Sequence, residues 1–250
     1  MALTLDLNKS QQALRLNLAK AGLNEPPKVD VAFVLDVSGS FDDEHRQGVT
    51  NDLMTRLIPW AALFDPDQKM EVYTFSNGPK SVHHAPDVNV RNYPGYVQRE
   101  VIGCPGYMGG TDYSYVLERV LIDFGWLPAE APRVGLLSRL LGATPAPAPK
   151  IQARQTLIFF VTDGENADAA RTTALLNASQ ARGDGVYVHF IGVSNQSAQF
   201  PYIQQLGSRF GNVGFTAVNK VRQWVQQPDE AINQALISDE LVAWLKLARP

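Results

Sequence analysis

Two short apolar runs, each ending in an acid, set the strongest limit on what this chain can fold into. "VAFVLD" occupies residues 31–36 and "TLIFFVTD" residues 156–163. Neither alternates apolar with polar residues, so each predicts a strand buried on both faces, as in a parallel sheet. "KMEVYTF" (69–75), "GVYVHFIGV" (185–193) and the weaker "VGFTAV" (213–218) are further strand candidates. "SVHHA" (81–85) predicts a short partner strand reached through the "SNGP" turn.

Between these runs apolar residues recur at helical spacing. Val49, Leu53 and Leu57, with Met54 and Ile58 alongside, predict a helix that stops at Pro59. Tyr113, Val116, Leu117, Val120, Leu121 and Phe124 form a second stripe. Ile232, Leu236, Ile237, Leu241, Trp244 and Leu245 form a third. Residues 92–103 carry a weaker helical pattern interrupted by Pro94 and Gly95. "GCPGYMGG" is a loop.

Strands alternating with helices predict an α/β fold. The expected form is a doubly wound, mostly parallel sheet with helices on both faces and one short antiparallel edge strand. Ligands of such sheets sit beyond the carboxyl ends of the strands, near a switch in strand order. Asp36 and Asp163 fall at that edge. Ahead of the sheet, Leu3, Leu5 and Leu7, and then Leu14, Leu16 and Leu18, occupy every second position. Residues 1–28 therefore predict a β-hairpin appendage, closed off by "NEPPK". The domain proper is expected over 29–250. It is expected to carry a Pro/Ala-rich insertion at about 127–150 with a short helix at 134–141.

The chemistry concentrates in three segments. "DVSGS" offers Asp36, Ser38 and Ser40, "GGTD" offers Thr111, and "VTDGEN" offers Asp163. All the candidate donors are oxygens, which suit Mg²⁺, Mn²⁺ or Ca²⁺ rather than zinc or copper. In extended backbone, residues two apart point the same way, so positions 36, 38 and 40 can face one point, with Gly39 allowing a bend. Each segment also has a plainer reading. Ser40 or Asp42 can cap a helix, Thr111 is a good cap residue, and Asp163 before Gly164 suits a turn. The combination favours a metal site.

The five residues resemble the metal-ion-dependent adhesion site of the von Willebrand factor type A domain, in that family's chain order. The resemblance spans about residues 31–247. It implies direct binding of the ion by Ser38, Ser40 and Thr111, with Asp36 and Asp163 often acting through water. It also implies one open position that an acidic group of a protein partner fills. "LDLNKS", "DVSGSFDDEHR", "YTFSNG", "GYVQREVIG" and "GGTDYSYVLERV" are similar to the TerF-like branch of the tellurium-resistance family, in which the type A domain follows a strand-rich lead. That resemblance implies a bacterial stress or tellurium-resistance protein in the cytoplasm, without enzymatic activity.

Other features argue against competing chemistries. Twenty-two basic against 25 acidic residues give a net charge of −3, so nothing in the balance points to nucleic acid. No stretch approaches the roughly 20 apolar residues of a membrane span, and the opening "MALTLDLNKS" lacks the pattern of a signal peptide. Cys104 stands alone and reads as a plain buried thiol. "GGTD" lacks the lysine and spacing of a phosphate-binding loop. His83 and His84 are adjacent on a strand and point to opposite faces, so they do not chelate together. His189 reads as structural, His45 lies one turn after Phe41 where it can approach the site rim, and Tyr107 and Met108 suit either an apolar border to the metal or ordinary loop packing. A metal-dependent binding module is the preferred expectation. The alternatives are a metal-dependent phosphohydrolase, for which no general base or second metal cluster is evident, and a metal-buffering or structural site.

Overall fold

The computed structural model describes residues 3–128, 152–164, 166–195 and 198–248. Six strands form one sheet: β1 (Asp30–Asp36), β2 (Lys69–Phe75), β3 (His83–Asn89), β4 (Thr156–Thr162), β5 (Val186–Ser194) and β6 (Val213–Asn219). Their order is β3-β2-β1-β4-β5-β6. Every neighbouring pair is parallel except β2 with β3, so the antiparallel edge strand is as expected, though it occupies 83–89 rather than 81–85.

The helices are α1 (Leu7–Lys20), α2 (Asp42–Arg46), α3 (Val49–Phe64), α4 (Tyr113–Asp123), α5 (Ala169–Arg182), α6 (Pro201–Arg209), α7 (Val221–Trp224), α8 (Asp229–Leu236) and α9 (Asp239–Leu247). They cover both faces. In β1, Val31, Phe33 and Leu35 point into a core shared with α1, α3, α8 and α9. Ala32 and Val34 point into a second core shared with α4, α5 and α6. A strand buried on both faces has no polar side to show, which is why β1 and β4 read as continuous apolar runs.

The N-terminal hairpin expected from the sequence is not formed. Residues 7–20 are helical instead, with Asp6 accepting from the Lys9 backbone N–H at 3.2 Å as the cap. The buried positions are Ser10, Leu14, Asn17 and Leu18, which is helical spacing, while Leu16 is 57% exposed. Leucine at 14, 16 and 18 satisfies a period of two by coincidence. The pairing that matters is Leu14 with Leu18. Buried polar groups fix the docking: Ser10 Oγ donates to Asp229 at 2.6 Å and Asn17 Nδ2 to the Glu230 carbonyl at 3.2 Å.

Three other boundaries differ from expectation. α3 continues through Pro59 to Phe64, because Trp60, Ala61, Leu63 and Phe64 are all buried there and their burial offsets the missing proline N–H. The C-terminal stripe is two helices rather than one. Ser238 breaks it and caps α9 by accepting from the Leu241 N–H at 3.2 Å. Residues 97–101 form a single wide helical turn, in place of a helix over 92–103. The helix expected at 134–141 lies outside the described residues. The chain leaves for that segment and returns from it at the amino ends of the strands. There Trp126 Nε1 donates to the Arg154 carbonyl at 2.8 Å, and the Asp30 N–H donates to the Gln155 carbonyl at 2.8 Å.

Candidate metal centre

Strand order reverses between β1 and β4, so the carboxyl ends of these two neighbours open a crevice. Pairing of Leu35 with Val161 sets Asp36 beside Thr162, and Asp163 follows as the first residue beyond β4. The Thr162 hydroxyl donates to one carboxylate oxygen of Asp36 at 2.7 Å, and the Ser38 N–H donates to the other at 2.8 Å. Asp36 is fully buried.

Ser38 is extended, but residues 39–41 wind into a 3₁₀ turn. Ser40 is therefore presented by a helical turn rather than by strand alternation. Its hydroxyl still meets that of Ser38 at 3.2 Å and donates to Asp163 Oδ1 at 3.0 Å, while Ser38 Oγ lies 3.5 Å from the same oxygen. Neither serine hydroxyl caps a helix. Gly39 has no left-handed φ, and a Cβ there would meet only ordinary contacts, beginning at 3.6 Å from the Met108 carbonyl. The bend does not require glycine.

The "GCPGYMGG" loop closes the third side. Ser38 and Gly109 form a parallel bridge: the Gly39 N–H donates to the Gly109 carbonyl at 3.0 Å, and the Met108 N–H to the Val37 carbonyl at 2.8 Å. Gly109 is sterically required. A Cβ there would fall 2.4 Å from Ser76 Oγ and 2.5 Å from Asn77 Oδ1. Thr111 follows, and its carbonyl accepts from the Ala167 N–H at 2.9 Å, which ties it to the loop after β4. Direct hydrogen bonds thus connect Asp36, Ser38, Ser40 and Asp163. Thr111 reaches the same edge through its backbone, and its hydroxyl makes no hydrogen bond to the other four.

Burial raises the Asp36 carboxyl to about 7, with the charge of Asp163 adding to it and bonds from Thr162 and Ser38 opposing it. Burial also raises Asp163, against hydrogen bonds from Ser40 and Ser38. None of the groups acting most strongly on either carboxyl is a cation. One fully buried carboxyl, one half-buried carboxyl and two hydroxyls, with no ion pair among the described residues, form a hard-oxygen donor set that fits a divalent cation. Among the described residues, no three His, Cys, Asp or Glu side chains converge on a metal-sized point, so the hydroxyls would have to take part.

His45 is buried and bonds the Asp36 carbonyl through Nε2 at 3.0 Å and Thr50 Oγ1 through Nδ1 at 2.9 Å. It supports the backbone beneath the cluster and does not enter it. Tyr107 donates to Asp42 at 2.6 Å, and Met108 is 54% exposed. Cys104 is half-buried against Thr74, and burial raises its thiol. Two supporting residues escaped the sequence reading. Thr162 sits within the strand run and looks like any buried β-branched residue. Asp168 carries an ordinary cap signal for α5, yet its carboxylate serves α4, a tertiary contact that no local pattern announces.

The fold is similar to that of a solved von Willebrand factor type A protein. Residues 28–136 match the family described as vWA-TerF-like, the vWA found in the TerF C terminus, which bears out the resemblance seen in the sequence. An uncharacterized protein of Bacillus subtilis (strain 168), YcbR, is 23% identical over 252 residues, covering 98% of this chain and 88% of the relative. A von Willebrand factor type A protein from Catenulispora acidiphila superposes on 83% of this chain with a TM-score of 0.51 at 12% identity. Proximal thread matrix protein 1 from the mussel byssus superposes on 86% with a TM-score of 0.52 at 16% identity. The match spans 42% and 48% of those two solved chains, and it bears on the fold alone. Among the described residues, no helix is long and apolar enough to cross a membrane.

Proposed function

We propose that this chain is a non-enzymatic, divalent-cation-dependent protein-binding module of a bacterial tellurium-resistance or stress system, working in the cytoplasm. The observation that carries this reading is the fully buried carboxyl of Asp36 beside the half-buried carboxyl of Asp163, which accepts from the Ser40 hydroxyl, with no ion pair to either carboxyl among the described residues. Asp36, Ser38, Ser40, Thr111 and Asp163 would hold the ion, with Mg²⁺ the expected metal and Mn²⁺ or Ca²⁺ possible in its place. Once bound, the ion supplies positive charge and a ligand position for an acidic group of a protein partner. Ser40 is exposed and lines, with Asp163, a cleft of about 200 Å³ through which such a group can approach.

The protein's own residues prepare that encounter. Thr162 and the Ser38 N–H fix the Asp36 carboxyl from behind, and His45 holds the carbonyl of the same residue. His45 has both ring nitrogens engaged in that support, so it is not free to serve as a general base for a phosphohydrolase. The TerF-like family match supports the tellurium-resistance setting. The test is a pull-down from stressed cells with and without chelator, comparing wild type with Asp36→Ala. Retention of a partner that chelator and Asp36→Ala both abolish is the expected result. Unchanged binding in excess chelator rejects the reading.

A further inference from the structure

The carboxyl edge of the sheet carries a second charge environment beside the oxygen cluster. The cleft that touches Ser40 and Asp163 reaches Asn195, and a neighbouring cleft of about 360 Å³ is lined by Asn195, Lys220, Arg222 and Gln223. Asn195 thus belongs to both walls. Its amide donates to Glu44, the charge of Arg222 acts on the same Glu44, and Arg222 donates to Gln47. Glu44 and Arg222 therefore offset each other in part.

Among the described residues Lys220 has no such partner. It is exposed, and the lysine ion pairs within the described residues are made by Lys20 and Lys69. Its backbone is left-handed, with φ 52°, a region that favours glycine. Lys220 thus presents an exposed cationic side chain at the wall of the cleft.

We infer that the partner meets this edge with an acidic segment rather than a single acidic group. One carboxylate takes the cation position beside Ser40 and Asp163, and a second acidic group lies against Lys220 and Arg222 across Asn195. The inference rests on the metal-dependent reading above. A bound divalent cation offsets the charges of Asp36 and Asp163, which leaves the stretch from Asn195 to Lys220 as the electropositive flank of the site. A second acid gains there, and a basic residue at the same place is rejected.

The probes are synthetic peptides with two glutamates separated by one to four glycines, each paired with a version in which one glutamate is glutamine. Affinities are measured by calorimetry with full-length protein saturated with Mn²⁺. At the best spacing, the two-glutamate peptide is expected to bind about 1.5- to 5-fold tighter than its one-glutamate version, the range for exposed charge pairs. In the Lys220→Gln/Arg222→Gln variant that gain disappears, while Mn²⁺ affinity and the one-glutamate peptide are unchanged. Equal affinities for the two peptides in wild type, a gain that survives in the variant, or no peptide binding with Mn²⁺ bound each overturn the inference and leave the metal site standing. Failure of Mn²⁺ to bind wild type overturns both.

Discussion

The carboxylate of Asp168 accepts hydrogen bonds from the backbone N–H groups of both Tyr113 and Ser114, each at 3.0 Å, and so caps a helix that begins 55 residues earlier in the chain. The Ser114 hydroxyl, Asn166 and Thr172 also donate to it. These bonds hold the carboxyl below its ordinary range despite the opposing effect of partial burial. Through Asp168 the loop that follows β4 is clamped to the segment that carries Thr111. Asp168→Ala should cost about 1–2 kcal/mol of stability, as for lost helix caps. It should also weaken Mn²⁺ binding, while Asp168→Asn restores part of both. Urea unfolding and calorimetry measure the two effects. Unaltered metal affinity in a destabilised Asp168→Ala protein would limit this residue to holding the fold.

Gly109 and Gly39 make a matched pair of tests. Gly109→Ala places a Cβ inside contact distance of Ser76 and Asn77, so the loop must shift. A loss of about 1–3 kcal/mol and weaker metal binding are expected. Gly39→Ala meets only ordinary contacts and should stay within about 1 kcal/mol of wild type. Thermal melts of both variants with and without Mn²⁺ check the contrast.

Metal dependence of stability follows from linkage. At a free Mn²⁺ concentration of 100 times the dissociation constant, wild type should gain about 2.7 kcal/mol over the protein in chelator. Asp36→Asn should show no gain. In chelator it should be at least as stable as wild type, because the substitution removes a buried carboxyl that lacks a counter-charge. Asp36→Asn unfolding well below wild type in chelator would show that the carboxyl serves the fold rather than an ion.

His189 makes the fold sensitive to acid. Its Nε2 pairs with Thr216 Oγ1 at 2.8 Å, its Nδ1 has no partner among the described residues, and burial lowers the imidazole to about 4. An unfolded chain takes up this proton near pH 6.5, whereas the folded chain does not until about pH 4. Stability from this group is therefore complete above pH 6.5 and is lost as pH falls toward 4, by up to about 3 kcal/mol. His45 is lowered to about 4 for the same reason and titrates in the same window. Buried Asp36, raised to about 7, acts in the opposite direction over this range, so the test is a difference: relative to wild type, His189→Gln should lose less stability between pH 6.5 and 4 in a series of urea titrations.

Leu14 and Leu16 separate a helical N-terminus from a hairpin. Leu14→Ala should cost about 2–5 kcal/mol, because Leu14 is fully buried on α1. Leu16→Ala should fall within about 0.5 kcal/mol of wild type. Equal effects would contradict the helix.

The central strands were legible because burial on both faces writes itself into the sequence as an unbroken apolar run. β2 begins and ends where "KMEVYTF" does. The approach of Asp36 to Asp163 followed from two strand-ending acids in a parallel sheet, before any distance was known. α1 was not legible from leucine positions alone, since the same residues satisfy two periods. The cap at Asp6 and the buried Ser10 and Asn17 decide between them, and the last two are explained only by α8, more than 200 residues away. The role of Asp168 was hidden for the same reason, and so was the continuation of α3 past Pro59, which depends on what Trp60 packs against.

The chain departs after Pro128 and re-enters at Gln152 beside the amino ends of β1 and β4, held by Trp126, Arg154 and Gln155. The oxygen cluster occupies the other pole of the same two strands. A fluorescent reporter or an affinity handle joined at those points would attach at the pole opposite the oxygen cluster. The two ends of one pair of strands are, in engineering terms, a socket and a cable gland.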